Sequence, residues 1–173
     1  MGVCVKEGER RMIDFKNIRT VIADALAEYT GCPVVMANQT AHIPKYPYIS
    51  FTVTTPARSN NGTYGAYSDG VYKKPINQIW SFTAQSGAPD EAQELALKAH
   101  NYFDYIGIEH LKENGIVVSR LGDITNRDSL LSVNYEYRNG FDVTFGLMDK
   151  IDSLELNEGE ITTADINANR NGG

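Results

Sequence analysis

The chain has 173 residues, of which 42% are hydrophobic, and this length and composition suit one domain with a buried core. Its formal charge of −6 disfavours a protein that grips nucleic acid over its whole surface, because that mode of binding needs a basic stripe. Only Cys4 and Cys32 occur, so the sequence indicates no disulfide framework and fits a reducing cytoplasm.

The first predicted elements are an N-terminal arm and a helix. Residues 1–13 are charged and aperiodic, and we interpret them as the arm. Apolar residues then recur at helical spacing: Ile18, Val21, Ile22, Ala25, Leu26 and Tyr29. Gly31, close to a proline, is typical of a helix end. The pattern predicts a helix over 14–30, followed by a short β-rich run at 34–36.

A strand and a long loop come next. Apolar Ile49, Phe51 and Val53 alternate with Ser and Thr, which predicts a half-buried strand over Tyr48–Thr55, ended by Pro56. Residues 57–75 are rich in Gly, Asn, Ser and Tyr. They are too polar to build core and too aromatic for an inert linker, so we predict a long functional loop.

The middle of the chain predicts a second strand and a second helix. Apolar and polar residues alternate over Gln78–Gln85, as in a strand. Pro89 and the acidic residues after it are typical of a helix start, and Gly107 closes the helix. Its apolar stripe comprises Ala92, Leu95, Ala96, Ala99, Phe103 and Ile106. A short helical turn at 108–113 and a strand at 116–118 follow.

The stretch 130–147 predicts a β-hairpin. A three-residue loop over 138–140, with Gly140 in the left-handed conformation as a bulge, places Tyr137 opposite Phe141. In this register every apolar residue of the stretch lies on one face. A two-residue loop would mix apolar and polar side chains on each face.

The polar face of this hairpin would place Glu136 directly across from Asp142. Like charges that face each other across a strand pair are destabilising. Two interpretations are open: Arg138 or another arginine relieves the pair, or the face looks at a partner or an enclosed space where negative charge is wanted.

The order of elements predicts an α+β fold, with an antiparallel or mixed sheet and two main helices packed on one face. We assign the folded domain to 14–149. Residues 150–173 are acidic and aperiodic, and we expect this C-terminal extension to have no stable structure in isolation.

No motif in the sequence carries catalytic chemistry. The three histidines stand in no metal-ligand spacing, and there is no nucleophile elbow and no phosphate-binding loop. The polar cluster at 123–128 is better explained by turn-forming Asn and Asp, with Arg127 pairing Asp123 or Asp128. We expect no enzyme, metal or cofactor. No segment has the roughly twenty apolar residues of a membrane span, so we expect no membrane contact.

Several residues are candidates for a protein interface. Ten tyrosines exceed what a small core needs, and exposed tyrosine and arginine are typical of interfaces. The candidates are Tyr64, Tyr67, Tyr72, Lys73 and Lys74 in the predicted loop, together with Arg127, Glu136, Arg138 and Asp142.

Four segments together resemble the neck terminator, or tail terminator, proteins of tailed bacteriophages. They are IWSFTAQS at 79–86, DEAQELALKAHNYFDYIG at 90–107, LKENGIVVSRLGDITNRDSLL at 111–131 and YEYRNGFDVTF at 135–145. PYISFTVT, from Pro47, looks like the family's first sheet strand. The resemblance covers residues 14–149 and rests on the order of the segments; the N-terminal arm and the C-terminal extension do not align with the family.

The resemblance implies a structural virion protein. Such a subunit forms a ring with its own copies, usually a hexamer, at the head-proximal end of the tail, where it ends tube growth and joins the tail to the neck. The implied partners are the tail tube protein, a neck or head-completion protein and, as a further candidate, the tail sheath. Genomic DNA would pass the lumen without sequence-specific binding. The virion would be assembled in the host cytoplasm.

Other functions stay open. A head-completion protein, acting as stopper or adaptor, would share the location but gate the exit of DNA. A small nuclease-like enzyme using Asp123 or Asp128 is a second alternative, and a monomeric binding module is a third. If the protein is a ring, the Glu136 and Asp142 face or the 57–75 loop is a candidate lining of its channel.

Overall fold

The structure, a computed structural model, describes residues 13–38, 42–59, 65–131 and 134–152. Its helices are α1 (Phe15–Thr30), α2 (Pro89–Asn101) and α3 (Ile108–Glu113), with a π-helical turn at Tyr102–Ile106 between the last two. Its strands are β1 (Val34–Met36), β2 (Tyr48–Ser59), β3 (Ala66–Ser68), β4 (Val71–Ser86), β5 (Val117–Leu121), β6 (Thr125–Asn126), β7 (Ser129–Leu131) and β8 (Asn134–Asp152). No helix in these described ranges is long and apolar enough to cross a membrane.

The strands form a mixed sheet whose main path runs β1, β2, β4, β8, β5. Strand β1 pairs with β2 in parallel, and the other pairings are antiparallel. Helices α1 and α2 bury their apolar stripes in one core with the apolar side chains of β2, β4 and β8. The predicted α+β class, with a mixed sheet and two main helices on one face, is confirmed.

The predicted first helix is confirmed at both ends. The Asp14 carboxylate accepts a hydrogen bond from the backbone N–H of Asn17, at 2.9 Å, and so caps the free amides of the first turn. Gly31 ends the helix in the left-handed conformation, with φ 75°, and its N–H donates to the carbonyl of Ala27. Ile18, Ile22 and Leu26 are the residues of the predicted stripe that are buried.

The core is dominated by stacked and edge-on aromatic rings. Phe82 lies at its centre, with ring centroids 4.9 Å from Phe103, 5.8 Å from Phe141 and 6.0 Å from Phe51. Trp80 meets Phe145 edge-on. Each such ring removes a large apolar area from water, so this cluster is the main stabilising element of the fold.

The second helix differs from its prediction in the last turn. The N–H of Gly107 donates to the carbonyl of Tyr102, five residues back, which is the hydrogen bond of a π-helical turn. This wider turn shifts the phase of the stripe: Tyr102 is buried, whereas Ile106 is 47% exposed. The prediction that Ile106 belongs to the core is therefore wrong, because it assumed an unbroken α-helical period.

Strand β2 does not end at Pro56, as predicted, but continues to Ser59. Its register against β4 shifts twice, after Val53 and after Thr55, so bulges accommodate the proline that cannot donate to the ladder. The buried Gln78 side chain compensates by donating to the Pro56 carbonyl at 2.7 Å.

The predicted hairpin at 130–147 is wrong. Residues 134–152 form one strand, β8, which pairs with β4 from Ser86↔Tyr137 to Val71↔Asp152 without a register shift. Gly140 lies within this ladder opposite Thr83 and does not have a positive φ. A sixteen-pair ladder satisfies far more backbone groups than the predicted hairpin would, and it keeps Phe141 on the core face. The start of β8 pairs instead with β7, antiparallel, with Leu131 opposite Asn134.

Much of the predicted loop 57–75 is also strand. Residues 57–59 continue β2, and β3 and the start of β4 form a hairpin around Asp69 and Gly70. Both turn residues have positive φ, 53° and 77°. Two-residue hairpin loops favour turns of this kind, because the twist of the turn matches the right-handed twist of the flanking strands. Residues 60–64 lie outside the described residues, as do 1–12 and 153–173, so the predictions for the N-terminal arm and for most of the C-terminal extension fall outside what the structure describes. Lys150, Ile151 and Asp152 belong to β8.

Candidate functional site

One candidate surface is the polar face of the sheet, on the side opposite the helices. Alternation along the strands puts Ser50 and Thr52 of β2 there, beside Ser81 and Thr83 of β4 and Asp142 of β8. All five are at least partly exposed. The described helices do not cover this face, because they pack on the aromatic side.

Arg127 lies across this face and links β4 to β8. Its Nη1 donates to Ser81 Oγ at 2.6 Å and to Thr83 Oγ1 at 3.3 Å, and its Nη2 forms an ion pair with Asp142 at 3.1 Å. The predicted pairing of Arg127 with Asp123 or Asp128 is therefore wrong. Asp128 instead accepts from the backbone N–H of Arg138, at 2.7 Å.

Gly140 provides the space that Arg127 occupies. A Cβ at position 140 would lie 2.8 Å from Arg127 Nη1 and 2.6 Å from the Phe82 carbonyl oxygen. Both distances are shorter than real Cβ contacts, so any side chain there would force the arginine or the strand to move. The glycine serves close packing on the polar face and not a turn.

Glu136 is held in a second polar group at the end of this face. It is only 3% exposed, and its carboxylate accepts from Tyr46 Oη at 2.6 Å and pairs with the Arg138 guanidinium. Accepting the hydrogen bond from Tyr46, the carboxylate raises the pKa of that tyrosine to about 12. A buried carboxylate needs such partners, because an unpaired charge out of water is strongly destabilising.

Glu136 and Asp142 do not face each other across a strand pair, contrary to the prediction. Both lie on β8, six positions apart, and each has its own arginine: Arg138 for Glu136 and Arg127 for Asp142. Arginines pair with both carboxylates, in keeping with the first interpretation, but the facing pair that it was meant to explain does not exist, and the second interpretation, a partner on this face, stays a prediction.

A basin of about 560 Å³ opens between this face and the segment that follows β1. Arg127 and Arg138 line one side of it, with Thr83 and Gln85. The opposite side is formed mainly by apolar residues, namely Val35, Met36, Ala37, Ile43 and Pro44. The basin therefore presents guanidinium groups opposite an apolar wall.

The second candidate surface is an arm formed by Ala66–Pro75 and Met148–Asp152. The paired residues Ile76 and Leu147 are the last buried apolar pair of β4 and β8, and beyond them the two strands continue for five more residues. Five residues of strand extend about 17 Å. The arm therefore projects from the core as a ribbon that none of the buried core residues covers.

The arm exposes apolar side chains and leaves polar groups without partners. Tyr67 is 61% exposed and Met148 is 48% exposed. Oδ1 of Asp149 is buried and has no hydrogen-bond partner among the described residues. Strand β5 reaches only as far as Gly146, so the outer edge of β8 beyond it has no strand partner in the part of the chain that the structure describes.

The candidate interface residues fall into two groups. Tyr67, Tyr72, Lys73 and Lys74 lie on the arm, whereas Arg127, Glu136, Arg138 and Asp142 lie on the polar face; Tyr64 is outside the described residues. Tyr72 is partly committed within the arm, since its Oη accepts from the backbone N–H of Gly65 at 3.0 Å. Tyr67 is thus the more accessible of the two arm tyrosines.

Residues 18–171 match a protein family described as phage neck terminator protein. The match covers most of the chain. The chain belongs to the phage neck terminator family. Membership indicates a structural protein of the virion, located at the neck or tail, that interacts with other phage tail or head proteins. No curated protein matches the sequence.

The neck terminator match extends beyond the resemblance seen in the sequence. That resemblance ended at residue 149, whereas the family match continues to 171 and takes in nearly all of the acidic extension. The extension is therefore part of what this chain shares with the neck terminators.

Sequence reasoning missed three features of these surfaces. Tyr46 was overlooked as the partner of Glu136, ninety residues away in the chain, and no local pattern could have joined the two. Gly140 leaves room for the Arg127 side chain, and this role was missed because an Asn-Gly pair suggested a turn. Met148 and Asp149 were taken as the end of the domain because the alternation of apolar and polar residues breaks there, although the strand continues to Asp152.

Proposed function

We propose that this neck terminator assembles as a closed ring, with six copies as the expected number, at the head-proximal end of the phage tail. The ring ends polymerisation of the tail tube and joins the tail to the neck. Assembly takes place in the host cytoplasm before the protein becomes part of the virion. The arm is the observation that supports self-assembly most directly.

The arm has the properties of a surface that a neighbour covers. It carries an exposed tyrosine and methionine, residue types that are enriched at protein interfaces. Its outer edge at Met148–Asp152 offers unpaired backbone groups to another strand, which is a common way for chains to associate. Three short strands without a helix on either face would bury little apolar area by themselves.

A ring follows if the arm of one subunit contacts a different surface of the next. Such head-to-tail contacts close when the rotation between neighbours divides a full turn, and they then stop growth in the plane of the ring. One face of the closed ring matches the last tube ring, and the other is available to a neck or head-completion protein. The tail sheath is a further candidate partner.

DNA passes through the proposed ring without sequence-specific binding. The chain has a net charge of −6, which disfavours a continuous phosphate-binding surface. On the polar face, the described carboxylates of Glu136 and Asp142 are paired with arginines, so this face is not the strongly acidic lining that the sequence suggested. We therefore do not assign the channel lining to it.

The proposal is tested with the purified protein and the tail tube protein of the same phage. We expect rings in electron micrographs of the protein alone, and tubes that stop lengthening when the protein is added during tube growth. Rings that leave tube growth unchanged but retain DNA in filled heads would instead indicate the head-completion alternative. A protein that forms no ring, alone or on tubes, would contradict the proposal.

A further inference from the structure

The basin on the polar face combines two binding features in one cavity. Arg127 and Arg138 provide guanidinium groups, and each is paired with a carboxylate of β8, Asp142 or Glu136, that does not itself line the cavity. The apolar wall across from them includes Ile43, which is 68% exposed. The matching ligand is an extended peptide that carries carboxylates and aliphatic side chains in close succession.

Both arginines are held in place before any ligand binds. Arg127 is fixed by Ser81, Thr83 and Asp142, and Arg138 by the buried Glu136. In Arg138 the bonds to Glu136 use Nε and Nη2, and Nη1 takes part in neither. Side chains already ordered in this way lose less conformational entropy on binding than free ones.

We propose that the basin binds the acidic segment Ser153–Glu160 of a neighbouring subunit. This segment reads SLELNEGE, in which Leu154 and Leu156 flank Glu155, and two further glutamates follow. Its leucines suit the apolar wall and its glutamates suit the arginines. The family match covers the segment, which supports a shared role for it among neck terminators.

The length of β8 decides against the chain's own segment as the occupant. Among the lining residues on β2, β4 and β8, Thr52 lies nearest to the end of β8; its partner Ser81 is opposite Asp142, which is ten residues before Asp152 along a regular strand, or about 33 Å. Glu160 is eight residues beyond Asp152, so the fully extended segment reaches at most about 29 Å. It must also reverse direction, which consumes several of those residues. A neighbour in the proposed ring has no such limit.

The inference rests on the proposed self-assembly, and the test separates the two. Cys4 and Cys32 are first replaced by serine. One chain then carries Ile43→Cys at the rim of the basin, and a second, co-expressed chain carries Asn157→Cys in the segment. After the purified assembly is oxidised with copper–phenanthroline, which accepts the two electrons that the thiols release, we expect a disulfide between the two chains, seen on a non-reducing gel as a two-chain band that neither chain gives when it is expressed and oxidised alone. Neither chain alone can form this particular bond.

A matched pair serves as control. Leu97→Cys, on the outer side of α2 and 53% exposed, replaces Ile43→Cys and is expected to give little linked product. Changing Glu155, Glu158 and Glu160 to glutamine on the Asn157→Cys chain is expected to lower the yield about fivefold, because each of the two arginines would lose one exposed ion pair of modest strength. Leu97 is exposed on α2, so its replacement by cysteine is not expected to disturb folding.

The outcomes are distinct. Assembled protein without the Ile43–Asn157 bond, or with equal bonding at Leu97, would overturn the exchange of segments and leave the ring intact. If the three glutamine changes leave the yield of linked product unchanged, the role of charge in recognition is overturned, and the proposal with it. A protein that is monomeric by mass and shows no linked product would overturn both the ring and the exchange.

Discussion

The same two strands, β4 and β8, pass through two different environments. From Ile76 to Ser86, paired with Tyr137 to Leu147, they form the body of the sheet and carry the buried aromatic rings. From Val71 to Pro75, paired with Met148 to Asp152, they form the arm. The backbone pairing is continuous across the boundary. What changes is whether core side chains pack against the strands.

The two regions show separately what the backbone hydrogen bonds of the ladder contribute and what the burial of apolar side chains contributes. Ladder hydrogen bonds set the direction and register of the arm, but each replaces a bond to water and adds little net stability. Burial of the rings stabilises the body. The arm is therefore a shaped surface whose burial depends on a partner, while the body is stable through its own core.

The largest expected effect sharpens this contrast. Phe82→Ala empties the centre of the body, where the ring is fully buried, and should lower the free energy of unfolding by about 3–5 kcal/mol. Tyr67→Ala in the arm, where the ring is 61% exposed, should lower it by less than about 0.5 kcal/mol. Urea unfolding measures both, at a protein concentration low enough that the wild type and the two variants are all monomeric. Similar losses at the two sites would break the comparison.

The second expected effect concerns how tightly the polar face of the body is packed. Gly140→Ala places a methyl group 2.8 Å from Arg127 Nη1 and should destabilise the protein by about 1–3 kcal/mol. Gly87→Ala is the control, because its added methyl meets no atom closer than 4.0 Å. We expect it to change stability by less than about 0.5 kcal/mol. If urea unfolding shows no difference between the two variants, Arg127 does not rest on Gly140.

A smaller effect appears at alkaline pH. The pKa of Tyr46 is raised to about 12 by its hydrogen bond to Glu136, whereas an unfolded tyrosine has a pKa near 10. The protonated tyrosine is thus favoured in the folded state, and this contribution is complete below about pH 10 and is lost as the pH rises to about 12. Because Tyr46 is 47% exposed, solvent screening limits the contribution to about 1 kcal/mol or less.

Tyr46→Phe should remove this contribution. The stability difference between the wild type and the variant, measured by urea unfolding at a series of pH values, is expected to be largest below pH 10 and to shrink towards pH 12. Taking the difference cancels the titration of lysines, which both proteins share. Tyr105→Phe, an exposed tyrosine in the π-helical turn, is the matched control. A difference that stays constant over this range would contradict the assigned hydrogen bond.

Two glycine dipeptides show why part of the fold escaped prediction. Asp69-Gly70 forms a hairpin turn with positive φ at both residues, whereas Asn139-Gly140 lies in a continuous strand. Local sequence favours a turn at both places. At 139–140 the long partner strand β4 overrides that preference, because the ladder and the core face continue through it.

The alternation around Gly140 could not reveal the difference. A three-residue loop keeps odd-numbered residues on one face, and so does an uninterrupted strand, so both place Phe141, Val143 and Phe145 in the core. Helix α1 was predictable since its apolar period and both caps are local. The π-helical turn was not predictable, because the spacing of the apolar residues gives no sign of the extra residue.

The candidate site was predictable only in part. Arg127, Glu136, Arg138 and Asp142 were singled out, but the partners that organise them, such as Tyr46, are distant in sequence. The arm tyrosines were recognised as unusual for a core, and the hairpin that carries them was taken for a loop. Both surfaces depend on pairing between segments that are distant in the sequence, and no local sequence pattern predicts such pairing.

The central claim is that neck terminator subunits associate through the arm, and native mass spectrometry tests it most directly. The full-length protein should give one closed species, at six times the mass of the chain. Tyr67→Ser should lose this species in favour of smaller ones without loss of stability, while Tyr105→Ser, at a similarly exposed tyrosine away from the arm, should keep it. A wild-type monomer, or a Tyr67→Ser protein that assembles as well as Tyr105→Ser, would contradict the account.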